Sequence, residues 1–89
     1  MNTPERVYIG LGSNQEGPVS QIVKALVELT RLPDTRLLAA SDLYRTPPMG
    51  PQDQPWFVNA VAVVTTSLQP QRLLEQTQAI ERRMGRTFS

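Results

Sequence analysis

Phe57 and Asn59 stand two residues apart in the stretch WFVNAVAVVTT, whose valines and threonines predict a β-strand. Side chains alternate along a strand, so the ring and the carboxamide project from the same face. A flat ring supplies a stacking surface, and a carboxamide offers a donor and an acceptor side by side. That pair suits the amino–oxo edge of a pterin or a guanine. Just before it, Thr46-Pro47-Pro48-Met49-Gly50 opens a loop running to Pro55 that holds four of the eight prolines. Prolines lose less entropy on ordering, so the loop can hold its backbone groups ready for a ligand's polar edge. A plainer reading stands beside this one, and pattern alone favours it. Phe57 fills core, Asn59 satisfies a neighbouring backbone group, and the prolines stiffen a connector or protect a sheet edge.

Other residues invite other chemistries. Gly10-Leu11-Gly12-Ser13-Asn14 has the look of a phosphate loop, yet it lacks the glycine-lysine-serine ending of a P-loop. It is also one glycine short of the dinucleotide fingerprint, and a tight turn leaving a buried strand explains it better. Glu81, Arg82, Arg83 and Arg86 cluster near the C-terminus. Arginines there could grip phosphate bidentately, whereas a solvated helix end complementing the dipole is the preferred reading for Arg82 and Arg83. Glu16, Glu28, Asp34 and Asp53 have no spacing suggestive of a metal pair. Trp56 points opposite to Phe57, as core or as a rim aromatic.

Composition narrows the rest. The chain has no cysteine and no histidine, which excludes disulfides, thiolate chemistry and the commonest general base. A metal here must be hard and oxygen-bound, with Mg²⁺ the natural choice. Net charge is +1, from nine basic and eight acidic residues spread along the chain, so no basic stripe argues for nucleic acid. No run approaches a membrane span and MNTPERVYIG is no signal peptide, so a cytoplasmic location is expected.

Eighty-nine residues allow one small domain. Val7 to Leu11 reads as a strand buried on both faces, stopping at Gly12-Ser13-Asn14. Val19, Ile22, Val23, Leu26 and Leu29 follow helical spacing from Pro18 to Leu32, until Pro33-Asp34 ends the helix. Arg36 to Tyr44 is a second strand with Leu37, Ala39, Ser41 and Leu43 on one face. Phe57 to Thr66 is a third. Pro70 starts a second helix whose buried stripe is Leu73, Thr77, Ile80 and Met84, with Gly85 as its cap. The order β-α-β-β-α is the ferredoxin-like α+β pattern without its last strand, so residues 1–89 form a single partial domain with an incomplete sheet.

Three blocks, VYIGLGSN, LYRTPPMGPQDQPWFVNAV and QAIERRMGR, occur in an order and spacing that resemble the 6-hydroxymethyl-7,8-dihydropterin pyrophosphokinase family of folate biosynthesis. The resemblance runs from about residue 5 to residue 86, and the middle block is its most specific part. It implies transfer of diphosphate from ATP to the hydroxymethyl group of the pterin, assisted by two Mg²⁺ ions. It implies pterin contacts from the backbone of Thr46, Pro47 and Met49, from the Asn59 carboxamide and from the Phe57 ring. The family commonly has tyrosine at the latter position, so phenylalanine keeps the ring without the hydroxyl. Glu81 matches a nucleotide-binding glutamate, and Arg86 a catalytic arginine that contacts ATP phosphates.

The family pattern continues beyond that arginine with further arginines, an aspartate pair that binds magnesium and a second stacking aromatic. Here Thr87-Phe88-Ser89 follows. The expectation is therefore an N-terminal portion that keeps the pterin-binding half, carries no metal ligands, and lacks activity alone. The rival expectation is a small ferredoxin-like binding or regulatory module, completing its sheet as an oligomer.

Overall fold

The computed structural model of the chain describes residues 3–48, 50 and 54–84. In chain order these form β1 (Glu5–Ser13), α1 (Pro18–Thr30), β2 (Thr35–Ala40), β3 (Tyr44–Thr46), β4 (Phe57–Thr66) and α2 (Pro70–Met84). β4 is the middle of an antiparallel sheet, flanked by β1 on one side and by β2 and β3 on the other. The architecture is α+β with the expected ferredoxin-like order, and the sheet is incomplete. Among the described residues β1 pairs only with β4, so its outer edge is open. No helix among them is long and apolar enough to cross a membrane.

Strand alternation sorts β4 into two faces. Val58, Ala60, Ala62 and Val64 are buried, while Phe57, Asn59, Val61, Val63 and Thr65 are half-buried between them. The buried set meets Ile9 and Leu11 of β1, Ile22, Ala25 and Leu29 of α1, and Leu73 and Ile80 of α2 in one core. Both helices therefore cover the same side of the sheet, and the other side is bare of helix. Small alanines at 60 and 62 let α1 approach the strand closely. Glu28 and Arg83 join the outer surfaces of the two helices through a 3.1 Å ion pair. The sequence left Arg83 to the dipole alone.

Each helix starts as its sequence dictates. Gly17 takes a left-handed conformation (φ 68°, ψ 50°), and Pro18 enters the first turn where its missing N–H costs nothing. No side chain caps this end; the Gln21 amide closes the first turn on the Gly17 carbonyl at 3.0 Å. The α2 stripe is as expected, with Leu73 and Ile80 buried and Met84 packed against the core.

Three expectations change. β1 is apolar on one face only: Tyr8 is 65% exposed, because the sheet has helices on just one side. The strand also runs through Ser13, so Gly10 and Gly12 are strand residues and not a turn. On α1, Val19 and Val23 are exposed while Ala25 takes the buried place between Ile22 and Leu29. Spacing alone could not tell a broad apolar arc from its buried centre.

The predicted strand from Arg36 to Tyr44 is really two, β2 and β3, laid end to end along β4. Their register against β4 advances by one residue between Leu37 and Ala39 and by one more before Tyr44. At the second irregularity the Ser41 amide donates to the Val61 carbonyl, and the Ser41 hydroxyl accepts from the Val61 amide, each at 2.8 Å. A side chain thus replaces a backbone carbonyl in the ladder, which keeps β4 satisfied across the bulge. Leu38 and Leu43 are left exposed.

Leu29 is fully buried at the contact of α1 with the sheet. Leu29→Ala is expected to cost about 2–5 kcal/mol in denaturant unfolding. Arg83→Ala, at an exposed pair, is expected to cost less than about 1 kcal/mol in the same measurement. Equal losses would contradict this division between core and surface.

Candidate functional site

Phe57 and Asn59 lie on the helix-free face of β4, and the register gathers further groups around them. Antiparallel partners point to the same face, so Gly12 and Tyr44 flank Asn59 while Thr46 flanks Phe57. β1, β3 and β4 thus bring five residues from three separated stretches onto one patch.

The carboxamide of Asn59 is already held. Its Nδ2 donates to the Thr46 hydroxyl at 2.8 Å and makes a longer approach, 3.5 Å, to the Tyr44 carbonyl. Its Oδ1 accepts nothing from the described residues. Of the donor and the acceptor that the amide offers, the donor end is engaged within the protein and the acceptor end has no partner among the described residues.

Gly12 explains how that acceptor stays open. A Cβ built on Gly12 would stand 3.0 Å from Asn59 Oδ1 and 4.0 Å from the Phe57 ring. Glycine at this point of β1 leaves clearance directly beside both recognition groups. Sequence reading put this glycine in a turn and so missed it. The available signal was a glycine inside a strand pattern, which commonly marks a close approach of another group.

The loop between β3 and β4 is anchored at both ends. Pro48 is buried although Pro47 is exposed. Gly50 sits at φ 97°, a conformation open to glycine. At the other end the Arg45 guanidinium lies 5.2 Å from the centre of the Trp56 ring. Trp56 is half exposed, so it is a rim aromatic and not core.

The remaining predicted residues are dispersed. Met49, Asp53, Gly85 and Arg86 lie outside the described residues. Glu81 is half-buried on α2 and lines a groove of about 380 Å³ along the open edge of β1, with Val7, Ile9, Leu73 and Leu74. That groove does not reach Phe57 or Asn59. Among the described residues no three carboxylate, histidine or cysteine side chains converge as a metal seat.

The patch is built from neutral groups: a ring for stacking, an amide oxygen for accepting, and a hydroxyl beside it. Groups of these types can stack on a flat molecule and accept from an N–H donor on its edge. Gly12→Ala is expected to displace the Asn59 carboxamide and shift its side-chain amide resonances, with the amides of the core strands unmoved. Unchanged Asn59 resonances would mean that the two residues do not meet.

The chain resembles known proteins over most of its length. The family model for 7,8-dihydro-6-hydroxymethylpterin-pyrophosphokinase matches residues 8–89. The 2-amino-4-hydroxy-6-hydroxymethyldihydropteridine pyrophosphokinase of Pseudomonas aeruginosa is 54% identical over 82 residues, covering 92% of this chain and 51% of the relative. The enzyme of the same name from Haemophilus influenzae is 48% identical over 79 residues, covering 89% of this chain and 49% of the relative. The folic acid synthesis protein fol1 of Pneumocystis carinii is 43% identical over 82 residues, covering 92% of this chain and 11% of that protein. The chain spans about half the length of the two bacterial relatives. With its family model matched over nearly the whole chain, this chain belongs to the 7,8-dihydro-6-hydroxymethylpterin-pyrophosphokinase family.

Proposed function

We propose that these 89 residues form the heterocycle-reading half of a pyrophosphokinase centre, which transfers diphosphate from ATP to 6-hydroxymethyl-7,8-dihydropterin. The observation that supports this most directly is the convergence of Phe57, Asn59 and Gly12 on one patch, where Oδ1 of Asn59 has no partner among the described residues. The Phe57 ring stacks on the bicycle, and Oδ1 accepts from an N–H of the pterin's amino–oxo edge. Backbone groups of Thr46, Pro47 and Met49 complete that edge, on a segment pinned by buried Pro48.

In the whole reaction the hydroxymethyl oxygen attacks the β-phosphorus of ATP, the bond from that phosphorus to the bridging oxygen breaks, and AMP leaves. The hydroxyl proton is released to solvent. Glu81 and Arg86 are assigned to the nucleotide, Arg86 to its phosphates. Phosphoryl-type transfer depends on positioning and on neutralising phosphate charge, commonly with magnesium. The described residues offer that ion no seat. The chain's aspartates, Asp34, Asp42 and Asp53, include no closely spaced pair. In this reading these residues bind and orient the pterin, and the transfer step is assigned to groups outside them.

Calorimetric titration of the 89-residue chain with 6-hydroxymethylpterin tests both parts. Binding should be measurable, and Asn59→Ala should weaken it by about tenfold or more, as expected for one well-made hydrogen bond. Phe57→Ala should weaken it by a similar or smaller factor, since stacking contributes about 0.5–1.5 kcal/mol beyond burial. With ATP and Mg²⁺ added, no AMP should form. Equal affinity of Asn59→Ala and wild type would remove the assigned pocket, and AMP release dependent on the pterin would refute the division of labour.

A further inference from the structure

We infer that Thr46 is a positioning residue whose hydroxyl holds the Asn59 carboxamide with its amino end turned to β3 and its oxygen to the ligand. This rests on the heterocycle reading above and adds a role for the Thr46 side chain to the one proposed for its backbone. An unrestrained side-chain amide can turn over and exchange its donor and acceptor ends. Here two groups oppose that. The Tyr44 carbonyl, 3.5 Å from Nδ2, can only accept, so it favours the amino end of the amide. The Thr46 hydroxyl, 2.8 Å away, can accept from that same end and supplies the short bond. Both lie on the β3 side of Asn59, while Gly12 lies across β4 on the β1 side. Oδ1 is consequently directed to the Gly12 side, where a Cβ would stand 3.0 Å from it.

The arrangement has a chemical meaning. With Nδ2 committed to Thr46 and Tyr44, the site presents an acceptor and selects ligands that carry a donor there. A hydroxyl that accepts from Nδ2 also keeps its own proton available, so Thr46 can offer a donor beside the amide. Removing the hydroxyl leaves only the long contact to Tyr44. The amide can then turn, placing its amino group against the ligand's own donors.

Three variants test this in the full chain. Thr46→Val keeps shape and backbone but removes the hydroxyl, Thr46→Ser restores it, and Asn59→Ala removes the group it acts through. In the free protein, the two Asn59 side-chain amide protons should be well separated in wild type and in Thr46→Ser. In Thr46→Val they should converge and exchange faster with solvent. In titrations with 6-hydroxymethylpterin, Thr46→Val should weaken binding about tenfold, Thr46→Ser should recover most of that loss, and Thr46→Val should have little further effect on an Asn59→Ala background. An unchanged amide signature in Thr46→Val overturns the inference, as does a full additional loss on the Asn59→Ala background. If wild type itself binds no pterin, the functional reading fails, while the amide resonances still decide the role of Thr46.

Discussion

Along β4 every second side chain belongs to the core and the ones between belong to the site, so a single backbone carries both. Val58, Ala60, Ala62 and Val64 are packed into the core beneath the helices, which fixes the backbone of β4 on either side of Asn59. Rigidity at the recognition face is thus inherited from packing on the far face. The long antiparallel pairing with β1 fixes Gly12 opposite Asn59, and the short pairing with β3 fixes Thr46 opposite Phe57. Alternation at period two is what makes one strand serve two purposes.

What the face presents is modest in charge and heavily arranged in direction. An amide oxygen in water gains little from one more hydrogen bond; one already oriented, next to a ring and a vacant glycine position, has less entropy to lose on binding. The loop above it follows the same logic. Its entrance is held by buried Pro48 and its exit by the contact of Arg45 with Trp56.

Much of this was legible beforehand, for identifiable reasons. Long apolar periodicity marks β4 and α2, and the two-residue spacing of Phe57 and Asn59 puts them on one face of a strand. What remained hidden depended on tertiary contacts. Tyr8 looked like core because a short apolar run does not say how many faces are covered. Val19 and Val23 lay within the apolar arc of α1 but outside its buried centre. Gly12 read as a turn because its importance lies across the sheet, in a register no local pattern contains. The occupied state of the Asn59 amide was hidden for the same reason, since Thr46 is 13 residues away in the chain.

The paired irregularities in the β2–β3 ribbon have a further consequence. Each inserts one residue opposite β4, and each alone would swap inward and outward side chains for everything beyond it. Two in succession restore the original parity, which is why Arg36 and Tyr44 share a side of the sheet although the ladder has slipped between them. Losing a single residue from Leu38 to Leu43 closes one irregularity, and Tyr44 stays opposite Asn59 with Thr46 still on the ligand side. The ribbon thus carries two residues of slack between its ends, and only a loss greater than that would drag the site residues along β4.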